Sequence, residues 1–317
     1  MGASITLSPV DRLDVTILVD NTVNMLLGSA PPAVRRHRLD VERPGLLAEH
    51  GMAMLVSVTK GDRSSTFLFD TGLSRDTLTH NMDVLEVRAQ DIQAVVLSHG
   101  HADHCGGLAG MARRRGARRL PVLLHPDAYL MRKVVLPDGS EVRLPPPDLR
   151  SLAAEGIDVI EGRQPSYVVE GLALVTGGVP RTVDVETGFP IHYAQVQGAW
   201  QPDPWIHDDQ AVVVNVRDKG LVVLTGCGHA GIINILKYAR AATGVESVHG
   251  VIGGMHLEGG IFEPRIQRTV EALVEMRPQV VVPGHCTGWR ATHALADALP
   301  DAFVPNSVGT RYTFAAD

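Results

Sequence analysis

The sequence predicts an α/β protein, and three observations support this class. Short apolar runs rich in Val, Ile and Leu recur along the 317 residues, and most of them end in a turn of Gly, Asp or His, as buried strands do. Segments with helical spacing of apolar residues separate several of these runs. Hydrophobic residues make up 44% of the chain and charged residues 20%, which is enough to bury a full core. Strands that alternate with helices indicate sheets covered by helices.

The apolar runs predict nine or more strands. In chain order they are residues 15–19, 66–69, 94–97, 122–124, 172–176, 211–216, 221–225, 248–252 and 279–282. Each is short enough for a strand and is bounded by residues that favour turns. Two later segments predict helices between strands. Residues 230–242 place Ile232, Leu236 and Ala239 on one face, and residues 263–275 begin with Pro264 in the first turn.

Two segments show neither the strand pattern nor the helical pattern of apolar residues, and they are predicted to be insertions. They lie at about 28–51 and 128–150, and the second contains three consecutive prolines at 145–147. Long irregular segments in a compact domain are usually lids or binding loops. We therefore expect a single domain over residues 1–317 that carries two insertions.

Composition excludes several classes of protein. Lys and Arg number 29 and Asp and Glu 35, and the resulting net charge of −6 argues against a nucleic-acid partner. No apolar stretch reaches the roughly 18 residues of a membrane helix, so we expect no membrane partner. Three cysteines are too few for a disulfide framework and fit a reducing cytoplasm. We expect a cytoplasmic protein with a small-molecule substrate, and the sequence leaves homo-oligomerisation open.

The clearest functional signal is a cluster of three histidines and one aspartate directly after the strand at 94–97. His99, His101, Asp103 and His104 fall within six positions on one turn. Imidazole and carboxylate groups are the ligands that suit zinc, iron or manganese. The spacing predicts two adjacent metal ions, and the strands that end near Thr225, Ile252 and Val282 are each followed by a further histidine.

The motif His-x-His-x-Asp-His at 99–104 resembles that of the metallo-β-lactamase superfamily at every position. More narrowly, the chain is similar to the branch that includes the dihydropterin–ribofuranosylaminobenzene phosphate synthases. The segments that carry this similarity lie between residues 15 and 288, and they are residues 18–21, 68–72, 98–108, 208–211, 225–232, 253–257 and 283–288. The resemblance implies a four-layer αββα sandwich, the metallo-β-lactamase fold, with the metals at the loop ends of the strands.

The resemblance also implies a ligand set. His99, His101 and a later histidine would hold the first metal, and Asp103, His104 and His285 the second. Many relatives carry a Gly-His turn near residue 176, but the turn in this sequence lacks a histidine. Many also carry an Asp after the Thr-Gly at 225–226, where this sequence has Cys227. His229 is the first choice to complete the first sphere, and His256 and Cys227 remain alternatives. Asp70, in the family's Asp-Thr-Gly turn, is expected to orient a ligand histidine.

A competing pattern occurs at the same place. Residues 226–231 satisfy the dinucleotide fingerprint G-x-G-x-x-G between a strand and a helix, and Glu246 follows twenty residues after Gly226. In a dinucleotide site, however, the acidic residue closes the second strand, whereas Glu246 precedes the strand at 248–252. We interpret these glycines as allowing the backbone to turn tightly beside the metals.

Two divalent ions, zinc first with manganese or iron as alternatives, would activate a shared water near neutral pH. We therefore predict a hydrolase that uses a metal-bound hydroxide on a small anionic ester, lactone or phosphoester, with Asp103 orienting the nucleophile. Asn21, Arg181 and Asp209 lie at loop ends and are candidate substrate contacts. Two alternatives remain: a synthase-type transferase that releases diphosphate, and a non-catalytic or redox metal-binding protein.

Overall fold

A computed structural model describes residues 5–30, 33–38, 40–116, 119–148, 153–154 and 156–317. Eighteen strands are present in these ranges and form three sheets. The eight-stranded first sheet has the order β2-β18-β1-β3-β4-β5-β6-β9. Its strands are β1 (Arg12–Val19), β2 (Val34–Arg35), β3 (Ala53–Lys60), β4 (Arg63–Phe69), β5 (Val95–Val96), β6 (Leu120–Leu124), β9 (Ile157–Glu161) and β18 (Arg311–Ala315).

The second sheet has six strands in the order β10-β11-β14-β15-β16-β17. They are β10 (Ser166–Val168), β11 (Ala173–Val175), β14 (Ala211–Val216), β15 (Gly220–Thr225), β16 (Val248–Gly253) and β17 (Val280–Pro283). Strands β15, β16 and β17 are parallel, as are β4, β5 and β6 in the first sheet. Because the carboxyl ends of parallel strands meet at one edge, each sheet gathers its following loops there.

Six α-helices occur in the described ranges, and four short 3₁₀ turns accompany them. The helices are α1 (Arg75–Val84), α2 (Ala102–Cys105), α3 (Leu108–Arg115), α4 (Ile232–Thr243), α5 (Ile266–Met276) and α6 (Trp289–Ala298). The 3₁₀ turns are Ala89–Asp91, Pro126–Tyr129, Glu263–Arg265 and His285–Thr287. In the described part of the chain, none of the helices is both long and apolar enough to cross a membrane.

Three apolar clusters define four layers. The middle cluster joins the inner faces of the two large sheets, for example Ile17 and Phe69 with Val212 and Leu224. The outer face of the first sheet packs against α1 and α3, and the outer face of the second sheet packs against α4, α5 and α6. Alternate residues of one strand therefore point into different clusters. This is the predicted αββα sandwich.

All nine predicted strands and both predicted helices are present. The insertion at 128–150 differs from the irregular segment that was expected, because it contains β7 (Arg132–Val135) and β8 (Glu141–Leu144). These two strands form a hairpin that joins β12 (His192–Val196) and β13 (Ala199–Pro202) in a third sheet, of order β13-β12-β7-β8. Charged residues interrupt the apolar pattern of both strands, and for this reason the sequence did not predict them. Within the described residues of 28–51, the short β2 is the only strand or helix.

Candidate metal centre

The histidine-rich turn joins the end of β5 to helix α2. His99 and His101 lie on the turn, while Asp103 and His104 are the second and third residues of the four-residue helix α2. The side chains of His99 and His104 are almost fully buried, with relative exposures of 1% and 0%. Gly100 is required here, since a Cβ at this position would lie 2.1 Å from the carbonyl oxygen of Ala128.

One group of imidazoles converges on His99. The Nε2 atom of His99 lies 3.0 Å from Nδ1 of His101 and 3.2 Å from Nε2 of His229. Ligands at 2.0–2.1 Å in a tetrahedral zinc site are separated by about 3.3 Å. The three nitrogens therefore have the spacing of atoms that share one ion. The structure brings His229, and not His256, to His99.

A second group surrounds His104. Its Nε2 atom lies 3.2 Å from Nε2 of His285 and 3.2 Å from Sγ of Cys227, and Oδ2 of Asp103 lies 3.2 Å from Nε2 of His285. The ligand atoms of these four residues all lie within 4.8 Å of one another, and Cys227 satisfies the same criterion with His99 and His229. Cys227 thus lies between the two groups.

The outward ring nitrogens of four histidines contact oxygen atoms. Nδ1 of His99 lies 2.9 Å from Oγ of Ser98, Nδ1 of His104 lies 2.6 Å from Oδ2 of Asp70, and Nδ1 of His285 lies 3.2 Å from Oδ1 of Asn21. The fourth is His192, whose Nδ1 lies 2.9 Å from the carbonyl oxygen of Asp203. An oxygen on one nitrogen orients the other toward a metal, and this arrangement is characteristic of metal-binding histidines.

The electrostatics of the site favour a cation. Burial lowers the pKa of His99 and of His229, and neighbouring histidines lower it further, so both rings are neutral and able to bind a metal. Burial also opposes a charge on His104, but the carboxylates of Asp103 and Asp70 raise its pKa to about 9. Burial raises the pKa of Asp103, yet His104 and His285 outweigh this effect and lower it. Positive charge is therefore stabilised between Asp70 and Asp103.

His192 is a residue of the site that the sequence analysis missed. Its Nε2 atom lies 3.1 Å from Nε2 of His101, and its side chain is completely buried. Strand β12 begins at His192, so the third sheet delivers this ring to the centre. The preceding Gly188 and Pro190 mark a turn before an alternating strand, and that pattern is the signal that could have identified it.

The third sheet is also fixed to the histidine turn through a buried arginine. Arg132 in β7 donates from Nη1 and Nη2 to Asp208 at 3.1 and 2.5 Å, and from Nε to Asp203 at 3.1 Å. Asp208 in turn accepts the backbone N–H of Gly100 at 2.8 Å. Arg132 and Asp208 are 1% and 0% exposed, so the pair excludes water.

The three predicted substrate contacts have structural partners. Nδ2 of Asn21 donates to the carbonyl oxygen of His285 at 3.2 Å. Arg181 donates to the carbonyl oxygens of Trp205 and Ile206, and buried Asp209 accepts the N–H of Ala230 at 2.8 Å. Burial raises the pKa of Asp209 to about 6. Asn21 and Asp209 thus support the loops that carry His285 and His229, Arg181 supports the segment at 205–206, and a direct contact with substrate stays a prediction for all three.

The glycines at 226 and 231 lie where the structure leaves no room for a side chain. A Cβ at Gly226 would lie 2.1 Å from Oγ of Ser98, and one at Gly231 would lie 2.1 Å from the Glu186 carboxylate. Both glycines therefore allow the loop after β15 to approach neighbouring side chains closely.

A cavity of about 370 Å³ lies beside His285. Asn21, Asn306, His293 and Trp289 are among the side chains that line it, and Trp289 is 63% exposed. A larger cavity of about 520 Å³ lies beneath the segment at 36–46, and no candidate metal-binding residue lines it. Of these two cavities, the first borders the candidate centre, through His285.

Comparisons with known proteins identify a family and chains that this protein resembles. The model of the metallo-β-lactamase superfamily matches residues 49–189, which include the turn at 99–104 but end before His192 and Cys227. The chain is 27% identical over 263 residues to the 7,8-dihydropterin-6-methyl-4-(β-D-ribofuranosyl)-aminobenzene-5'-phosphate synthase of Methanocaldococcus jannaschii, covering 81% of this chain and 87% of that protein.

Two solved structures share the fold. Tm1679, a metal-dependent hydrolase of the β-lactamase superfamily, has a TM-score of 0.72 at 24% identity and is matched over 96% of this chain and 100% of that chain. YhfI from Bacillus subtilis, a metallo-β-lactamase fold protein, has a TM-score of 0.53 at 13% identity with the same coverages. The chain therefore has the metallo-β-lactamase fold that its motif predicted, and residues 49–189 are similar to the metallo-β-lactamase superfamily.

Proposed function

We propose that this protein is a metal-dependent hydrolase that holds two divalent ions, zinc in the first instance, and acts on a small anionic ester, lactone or phosphoester. The observation that carries this proposal is the pair of adjacent ligand groups that share Cys227. The donor atoms are imidazole nitrogens, one carboxylate and one thiolate, a set that suits zinc.

His99, His101 and His229 would hold one ion, with His192 beside His101, and Asp103, His104 and His285 would hold the other. Two ions held in this way would lower the pKa of a shared water and polarise a substrate oxygen. Cys227 belongs to both ligand groups, and it follows the Thr-Gly at 225–226 where many relatives carry an aspartate. Asp103 is 19% exposed, so its carboxylate can accept a hydrogen bond from the attacking water and orient it.

The remaining residues position this set. Contacts to the outward ring nitrogens fix the ring planes of three histidines. These contacts are Ser98 with His99, Asp70 with His104, and Asn21 with His285. The cavity beside His285 holds the substrate, and Trp289 and His293 on α6 line its outer wall. The protein has a net charge of −6, which disfavours anions, but bound ions would add positive charge to the cleft and so favour an anionic substrate.

Metal analysis and a substrate panel test the proposal together. Protein purified without chelator is expected to contain close to two zinc, manganese or iron ions per chain in the groups described. The metal-loaded protein is expected to cleave at least one of a set of nitrophenyl phosphodiesters, phosphate monoesters, lactones and carboxylic esters, with a rate that rises through a pKa near about 7. Protein that neither contains nor takes up these metals would contradict the proposal.

A second candidate function is synthase-type transfer with release of diphosphate. The similarity over 81% of the chain to a named synthase is the observation that favours it. The same two ligand groups would hold ions that bind the leaving diphosphate. If metal-loaded protein cleaves none of the panel yet releases diphosphate from a ribosyl-type donor in the presence of a pterin, the transferase replaces the hydrolase.

A further inference from the structure

Two cysteines and one histidine form a further cluster next to the centre. The ligand atoms of Cys227, His256 and Cys286 all lie within 4.8 Å of one another. Each of the three follows a different parallel strand of the second sheet, β15, β16 and β17 respectively. Neither His256 nor Cys286 belongs to the two ligand groups already described.

Hydrogen bonds hold the three loops in a fixed arrangement. The N–H of Gly254 donates to the carbonyl oxygen of Gly226 at 3.0 Å, and the N–H of Leu257 donates to the carbonyl oxygen of Cys286 at 3.1 Å. The Sγ atom of Cys286 lies 3.3 Å from the carbonyl oxygen of Cys227. Hydrogen bonds within the protein therefore bring the three loops of the cluster together.

The ring nitrogens of His256 are buried beside the two cysteines. Both of its ring nitrogens are shielded from solvent and make no hydrogen bond to the described residues. The ring lies against aromatic side chains, 4.3 Å from Phe262 and 5.5 Å from Phe189 between ring centroids. The backbone of His256 has a φ of +47°, a conformation that costs free energy in a non-glycine residue. Buried polar atoms without a partner commonly mark an ion or water site.

We propose that Cys227, His256 and Cys286 form a third metal site, one that binds a thiophilic divalent cation such as zinc. Binding forms two metal–sulfur bonds and one metal–nitrogen bond, and the two thiols release their protons to solvent. Two thiolates and one imidazole make a softer donor set than the histidine and aspartate groups. Each of those groups retains three other protein ligands, so Cys227 is available to bind the third ion.

The experiment is a titration of metal-free protein with Co²⁺ under reducing conditions, followed by absorbance and by equilibrium dialysis. Wild-type protein is expected to bind three equivalents, one of which produces a strong thiolate-to-cobalt charge-transfer band. The variants Cys286→Ala and His256→Ala are each expected to bind one equivalent fewer and to lose most of that band. Cys105→Ala is the matched control, because Cys105 lies outside the cluster, and it is expected to retain all three equivalents.

Different outcomes separate this site from the proposed function. Two equivalents in wild-type protein, unchanged in Cys286→Ala, would overturn the third site and leave the hydrolase proposal standing. A third equivalent that persists in both variants would also overturn it, because other residues would then bind that ion. A single equivalent with thiolate absorption that disappears in Cys286→Ala would support the third site and contradict the two-ion centre.

Discussion

Among single residues, Asp70 connects the fold most directly to the metal centre. It follows β4 with a φ of +61°, and its carboxylate is completely buried. Oδ1 accepts the N–H of Ser98 at 2.6 Å, while Oδ2 accepts the Ser98 hydroxyl at 2.7 Å and lies 2.6 Å from Nδ1 of His104. One carboxylate therefore fixes both the start of the histidine turn and the orientation of one ring.

The substitution Asp70→Asn tests this role. Asparagine tolerates a positive φ, so the turn is retained, but the amide lacks the negative charge that faces His104. We expect zinc affinity to fall by about 10- to 100-fold, the range typical of lost outer partners. Competition with a chromophoric chelator measures this change. The control is Asp91→Asn, which alters an exposed ion pair with Arg88; equal affinities in all three proteins would contradict the assignment.

The sequence indicated candidate ligands wherever histidine and aspartate residues lie close together along the chain or directly after a strand. The turn at 99–104 and the histidines after β15 and β17 were identified from local patterns, and the structure brings them together. His192 was missed because it lies on a strand of the small third sheet, and only the tertiary fold places it next to His101. Cys286 was missed as a cluster member for the same reason, because its partners lie on other loops.

Among the secondary-structure elements, the hairpin of β7 and β8 has the least obvious sequence pattern and a large structural effect. Arg132 in this hairpin donates to both Asp208 and Asp203. Asp208 accepts the N–H of Gly100, and Asp203 lies beside His192. The sequence suggested an irregular insertion, because half of the residues in each of these four-residue strands are charged and no apolar run marks them. The nine longer apolar runs were predicted correctly, since burial on both faces leaves a nearly continuous apolar pattern.

The substitution Arg132→Met measures how strongly this hairpin is coupled to the centre. It would leave two carboxylates without their buried partner, and we expect the free energy of unfolding to fall by about 3–5 kcal/mol. The control Arg163→Met removes an arginine that is 57% exposed in its pair with Asp127, and a loss of at most about 1 kcal/mol is expected. Urea denaturation of both variants provides the comparison. Similar losses in the two variants would show that Arg132 has no special role.

Helix α4 depends on a buried carboxylate from another segment. Glu186 accepts the N–H groups of Ile233 and Asn234, both at 2.8 Å, at the start of the helix. Burial raises the pKa of Glu186 to about 7, although the two N–H groups oppose this shift. In the unfolded chain the group titrates near its ordinary value of 4.5. Between these values the folded protein holds a proton that the unfolded chain has lost.

Stability contributed by Glu186 should therefore fall as the pH rises from about 4.5 to 7, by at most about 1.4 kcal/mol per pH unit. Glu186→Gln cannot ionise and removes this dependence while keeping a side chain of the same size. The quantity to measure is the difference in the free energy of unfolding between wild type and variant across that pH range. A difference that stays constant with pH would show that Glu186 is ionised in the folded protein throughout.

For the whole molecule, the important feature is that the candidate centre takes ligands from both large sheets. His99, His101, Asp103 and His104 follow β5 of the first sheet, whereas Cys227, His229 and His285 follow β15 and β17 of the second. The two sheets also meet through the apolar middle cluster and through hydrogen bonds such as that of Gln210 with the carbonyl oxygen of Leu97. Bound ions would therefore connect the two halves of the sandwich at one edge.

This arrangement predicts that metal binding stabilises the entire fold. An ion that binds only the folded protein adds about 4 kcal/mol per site when its free concentration is 1,000 times its dissociation constant. We expect the midpoint of urea denaturation to rise with added zinc until the two sites that join the sheets are filled, and to fall when a chelator removes the metal. The double variant Asp103→Asn with His285→Ala should lose the part of this rise that comes from the second group. Equal midpoints for wild-type protein in zinc and in chelator would mean that the two sheets are not joined through a metal at this edge.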